Sequence, residues 1–165
     1  MLGLTPLGTI HTAISIVAVG AGVIAFARDG VISPSSHLGK TYIITTVLTC
    51  LTAFGIFQHG GFGKPHILGM LTLIVLAIAA LARRSGLFGG ASRYVETVSY
   101  SATLLFHLIP AATEIATRLP PSAPLAASAD APSLQAAAAV LFVLFVAVAV
   151  VQVRHLRSAP QRSRA

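Results

Sequence analysis

The residues able to do chemistry in this chain are few: six histidines, four carboxylates and one cysteine in 165 positions. Imidazole is the side chain that takes up and releases a proton near neutral pH, and it is also the commonest nitrogen ligand for zinc, copper, iron and nickel. Four histidines, His11, His59, His66 and His107, fall within or at the ends of strongly apolar stretches. His59 and His66 flank the glycine-rich turn Gly60-Gly61-Phe62-Gly63. Antiparallel helices pack about 8–10 Å apart. That spacing suits two imidazoles on one transition-metal ion, with His11 as a third ligand. The rival reading makes His59 and His66 solvated residues at helix ends.

His107 stands in the middle of its apolar stretch. Tyr100, Thr103 and Glu114 lie seven, four and seven residues from it, which places all four on one helical stripe. This stripe reads either as a polar pocket descending from one surface, a proton or ligand path, or as a capped, solvated helix end whose Glu114 pairs with Arg118 at i+4. Pro110 removes one helical hydrogen bond beside it. His11 and His107 also form the best pair for axial ligation of a single haem b, which needs two imidazoles at similar depth on opposed helices. No helix carries two interior histidines, which disfavours a two-haem arrangement. There is no HExxH, nucleophile elbow, phosphate loop or carboxylate pair, so conventional hydrolytic chemistry finds no support. Cys50 is the only cysteine, which excludes an intramolecular disulfide and a CxxC metal motif.

The elements that would carry these residues follow from composition. Hydrophobic residues make up 55% of the chain and charged residues 9%, with a mean hydropathy of +0.86. Water-soluble domains do not have this balance. The net charge of +7 comes from basic residues set between apolar blocks, not from a basic face interleaved with aromatics, so nucleic acid is not an expected partner. The lipid bilayer is.

A spanning helix needs about 20 predominantly apolar residues. Five blocks qualify, at 5–27, 41–58, 66–82, 94–117 and 134–153. The expected fold is an all-α integral membrane bundle: a four-helix core over 1–118, a Pro/Ala/Ser-rich outer loop over 119–133, a fifth transmembrane helix over 134–153, and a basic tail over 154–165. Residues 1–27 contain no Lys or Arg, so the first block lacks the basic start of a secretory signal and reads as a retained span.

Short loops rich in Lys and Arg stay in the cytoplasm. Placing the N-terminus outside puts Arg28, Lys40, Arg83, Arg84, Arg93, Arg154, Arg157, Arg162 and Arg164 inside and leaves only Lys64 and Arg118 outside. The C-terminus is then cytoplasmic, and the expected location is a bacterial inner membrane. In this topology His11 lies about 9 Å and His107 about 16 Å below the outer surface, from the helical rise of about 1.5 Å per residue. His37 and His155 fall on the cytoplasmic side and are expected to be interfacial. The first helix carries Gly8, Ser15, Ala18 and Gly22 in a stripe suited to close helix approach. In the second, Thr45, Thr52 and His59 share a face by their spacing of seven.

Residues 11–82 resemble a bacterial membrane family known as domain of unknown function 2306. The likeness rests on Ile10-His11 in the first helix, His37-Leu38-Gly39 before the second, His59 at its end, and Pro65-His66-Ile67-Leu68 with Leu71-Thr72-Leu73 in the third. It implies a membrane bundle of about four spans and points to His11, His37, His59 and His66. It supplies no activity and no cofactor, and it fades from Tyr94 onward. The sequence thus carries three functional expectations. One is an outer-half histidine cluster binding a transition metal or a single haem b for electron transfer. The second is a binding or transport bundle with a polar pocket lined by Tyr100, His107 and Glu114. The third is a structural or partner-binding membrane subunit without cofactor.

Overall fold

A computed structural model describes residues 5–57 and 61–158, all helix and connecting loop. Five α-helices follow one another: α1 (Pro6–Asp29), α2 (His37–Ala53), α3 (Lys64–Arg84), α4 (Ser92–Arg118) and α5 (Pro132–Ser158). A single 3₁₀ turn, Gly89–Ala91, precedes α4. Of the five, α1, α3 and α5 are long and apolar enough to cross a membrane.

The helix ends are set by local chemistry. Thr5 caps α1 by accepting from the Gly8 N–H at 3.0 Å. Pro6 follows in the first turn, where its missing N–H costs nothing. The helix closes on Gly30, whose φ of 69° is a left-handed conformation that glycine adopts without strain. Ser36 caps α2 by accepting from Gly39 N–H, also at 3.0 Å. This cap starts α2 at His37, four residues before the expected apolar block, and the turn through Phe54 and Gly55 ends it at Ala53 instead of residue 58. Hydropathy skips His37, Gly39 and Lys40; the cap does not. Pro110 lies inside α4, and the helix continues to Arg118 around it.

Consecutive helices run in opposite directions, so the bundle has two chemically distinct ends. One, the basic end, gathers Arg28, Lys40, Arg83, Arg84, Arg93, Arg154 and Arg157. Its acids are already engaged: Asp29 by Arg28, and Glu96 by Arg83 at 2.9 Å. His37 and His155 are at this end and exposed. The opposite end holds Lys64, bonded to Asp130 at 2.9 Å, and the Glu114–Arg118 pair. The Lys64 ammonium holds the Asp130 carboxyl below its ordinary range.

The core is rich in small and hydroxyl-bearing residues, packed around Ile32, Leu76, Leu104 and Leu105. Ala18, Ala25, Ala79, Ala82, Thr46 and Thr103 are buried, while Ile16, Ile24, Ile44, Leu51, Ile74, Val143 and Val151 are each at least half exposed. A water-soluble bundle reverses this distribution. The small residues of α1 permit close approach: a Cβ on Gly22 would come within 2.7 Å of the Tyr42 ring and 3.0 Å of Leu104. That contact seats Tyr42, fully buried, between α1, α2 and α4. On α5 the only buried described residue is Gln152. Its amide takes a hydrogen bond from Ser101 Oγ at 3.0 Å and donates one to the Gly30 carbonyl at 2.8 Å, tying α5 to α4 and to the end of α1.

Candidate functional site

His11, Tyr42 and His107 meet on one face of α2. Tyr42, Thr46, Thr49 and Thr52 recur at spacings of four, three and three, so they form a single polar stripe. Each hydroxyl on this stripe meets a polar group of α1 or α4. His11 of α1 contacts Thr52 through Nδ1 at 3.0 Å. The Thr52 hydroxyl proton is directed to the Leu48 carbonyl at 2.9 Å and the Thr49 carbonyl at 3.0 Å. Thr52 therefore accepts, and His11 carries its proton on Nδ1. Ser15, one turn further along α1, reaches the Thr49 hydroxyl at 3.5 Å.

From the other side, His107 of α4 contacts Thr46 through Nε2 at 3.1 Å. Its ring meets Tyr42 edge to face, with centroids 6.0 Å apart. Tyr42 donates to Thr103 Oγ at 2.8 Å, and Thr103 donates to the Tyr100 carbonyl at the same distance. Tyr100, Thr103 and His107 are all buried, with Thr103 fully so. The α4 stripe read from the sequence is therefore real, but its middle is closed packing against α2 and not an open pocket. Glu114 lies at its exposed end, paired with Arg118.

The stripe also extends further than the sequence reading takes it. Glu96 lies four residues before Tyr100 and on the same face of α4, at the basic end, where Arg83 binds both Glu96 and the Ser35 hydroxyl of the α1–α2 loop. Two of the four acids in the chain thus bracket one helical face, eighteen residues apart. At a rise of about 1.5 Å per residue that separation is about 27 Å. The sequence reading omits Tyr42 and Glu96, and both were findable: Glu96 by extending the spacing one turn, Tyr42 by the spacing of the α2 threonines. The stripe expected on α2, Thr45 with Thr52, differs from the observed one. Thr45 bonds only its own helix, to the Thr41 carbonyl, and Thr46 takes the buried position.

His66 has separate surroundings. It is stacked between Phe57, at a centroid distance of 5.0 Å, and Phe62, at 5.1 Å, and its Nδ1 accepts from Gly63 N–H at 3.2 Å. His59, expected as its partner on a metal, lies outside the described residues. Among the described residues no three His, Cys, Asp or Glu gather at metal-binding distance. His11 turns toward α2 and His66 toward two phenyl rings. The pairing of His11 with His107 across a haem meets a similar difficulty. An axial histidine offers Nε2 to the iron, and in His107 that atom is engaged by Thr46. The two rings address α2 at points six residues apart, not each other across a cavity of macrocycle size. The donor set as packed does not fit a bis-histidine haem.

No family model, curated protein or solved structure matches the chain.

Proposed function

We propose that this protein is a five-span membrane bundle, N-terminus outside, in a bacterial inner membrane, and that it passes protons along the seam between α2 and α4. The observation that carries the reading is the α4 stripe. Glu96 and Glu114 mark its ends, and Tyr100, Thr103 and His107 lie buried between them. Its length of about 27 Å is close to the roughly 30 Å hydrocarbon thickness of a bilayer. Ionisable groups inside a membrane are costly and commonly line ion or proton paths. The apolar exterior and the uneven placement of cations support the span count and the orientation.

In this reading Glu114 and half-buried His11 collect protons at the outer face. His107, on the Thr46 rung, accepts at one ring nitrogen and releases at the other. Tyr42 and Tyr100 carry the path toward Glu96, where Arg83 sets the inner exit. The seam is closely packed and its rungs are separate hydrogen-bonded pairs, so passage requires imidazole rotation and transient water between rungs.

The test is proton flux. Purified protein in liposomes holding a pH-sensitive dye is driven by a valinomycin-clamped potassium gradient. Wild type should acidify the lumen faster than empty liposomes, and His107→Phe should reduce the difference by about tenfold or more, in line with loss of a positioned proton carrier. Flux equal to empty liposomes, or unchanged in His107→Phe, would leave the seam as structural packing only.

A further inference from the structure

The loop that joins α1 to α2 at the basic end, residues 30–36, is fastened along its length. The Gly30 carbonyl accepts from Gln152 of α5 at 2.8 Å. Ile32 is 2% exposed and belongs to the core cluster that includes Tyr42, Leu76 and Tyr100. The Ser33 carbonyl accepts from the Ser36 N–H at 3.1 Å and from the Ser36 hydroxyl at 3.0 Å. The first turn of α2 passes so close that a Cβ on Gly39 would lie 1.9 Å from that same carbonyl oxygen, an approach that only glycine permits. The loop is therefore a strap anchored on both sides of Ser35.

Arg83 of α3 takes hold of that strap. One of its terminal nitrogens donates to Ser35 Oγ at 2.8 Å, and the other donates to Glu96 Oε1 at 2.9 Å. The guanidinium is a planar fork, so two bonds from different nitrogens set its orientation as well as its position. An exposed ion pair alone holds its partners weakly. The second bond, to a hydroxyl on an anchored strap, is what keeps Arg83 over the carboxylate. The Arg83 side chain is 44% exposed and that of Glu96 18%, so the guanidinium is the partner that faces water and the carboxylate lies behind it.

We infer that Ser35 is a positioning residue: through Arg83 it keeps the inner end of the α4 stripe closed, and Glu96 meets water at the basic end when the Ser35–Arg83 bond breaks. The inference rests on the proton path proposed above, in which Glu96 is the inner exit. Among the described residues the Ser35 hydroxyl bonds Arg83 alone. Ser35→Ala therefore removes that one link and leaves the Ser36 cap, the Ile32 anchor and the Arg83–Glu96 pair in place.

Two readings on the full-length protein test this. In nanodiscs, a water-soluble carbodiimide with an added amine labels accessible carboxyl groups. Glu96 and Glu114 fall in one tryptic peptide, residues 94–118, so fragment-ion mass spectrometry gives their labelling ratio with Glu114 as internal reference. In liposomes, proton flux is measured as above. Ser35→Ala should raise both the Glu96 to Glu114 ratio and the flux about threefold, the effect of losing one exposed hydrogen bond to a charged group. Ser35→Thr keeps the hydroxyl and should match wild type in both. Adding His107→Phe to Ser35→Ala should return flux to the level of His107→Phe alone; a rise that persists is leak and overturns the gate. An unchanged ratio in Ser35→Ala overturns the cover whatever the flux. A raised ratio with unchanged flux overturns the gate and leaves the path standing. Wild-type flux equal to empty liposomes removes the path, and the gate with it. Should Ser35→Ala lose its cooperative thermal transition, Arg83→Gln takes its place, and an unchanged ratio there overturns the cover in the same way.

Discussion

Replacing Thr46 with valine removes one hydroxyl and nearly preserves volume, and its effect can be set by magnitude. Thr46 is fully buried and His107 is 7% exposed, with Oγ and Nε2 3.1 Å apart. In a water-soluble core, stranding a buried polar atom costs about 1 to 3 kcal/mol. Between membrane helices the measured coupling of such pairs is smaller, averaging about 0.6 kcal/mol and reaching about 1.7 kcal/mol, because the unfolded chain in the bilayer also finds partners. His107 has few alternatives: its neighbour Tyr42 is committed to Thr103. The expected loss for Thr46→Val is therefore toward the upper part of the membrane range, about 1 to 1.5 kcal/mol. In His107→Phe the same Thr46→Val change should cost less than half as much, since there is no imidazole left to strand. Reversible unfolding in mixed micelles, run on the two single variants and the double, isolates the pairwise term. Additive effects, with a coupling below about 0.3 kcal/mol, would refute the view that this hydrogen bond holds the seam together.

Two further outcomes follow from the packing. Gly22→Ala forces a methyl group into the Tyr42 ring and Leu104, and should destabilise by about 1 to 3 kcal/mol, as overpacking does; a melting temperature equal to wild type would show that α1 does not seat Tyr42. Gln152→Leu removes both polar links of α5, to Ser101 and to Gly30, while leaving its apolar surface intact. It should make the segment before α5 cleavable by added protease at concentrations that spare wild type, with little change in the melting of the remaining four helices; unchanged cleavage would mean that apolar contact alone holds α5.

Much of the architecture is readable in the chain because a helix in an apolar setting announces itself by length and hydropathy. The blocks at 66–82, 94–117 and 134–153 each fall within an observed helix, and the block at 5–27 does so from Pro6 onward, after its Thr5 cap. The second helix departs from its expected limits because its first turn, His37 to Lys40, is polar and is fixed by the Ser36 cap, a local hydrogen bond to which a hydropathy window is blind. The stripe of Tyr100, Thr103 and His107 is legible from spacing alone, since residues three and four apart on one helix must share a face.

What the sequence by itself determined is which residues share a face, which segments are helices and where positive charge collects, because these depend on local periodicity and composition. Which faces meet was decided by tertiary structure. Several histidines in one half of the bundle suggested a shared ligand, yet close packing at Gly22 and Tyr42 turned His11 and His107 onto different threonines of α2, while the turn at Gly63 folded His66 under Phe57 and Phe62. Spacing along a helix fixes an azimuth; only the approach of another helix fixes the partner, because side-chain contact depends on interhelical distance and rotation that no single helix encodes.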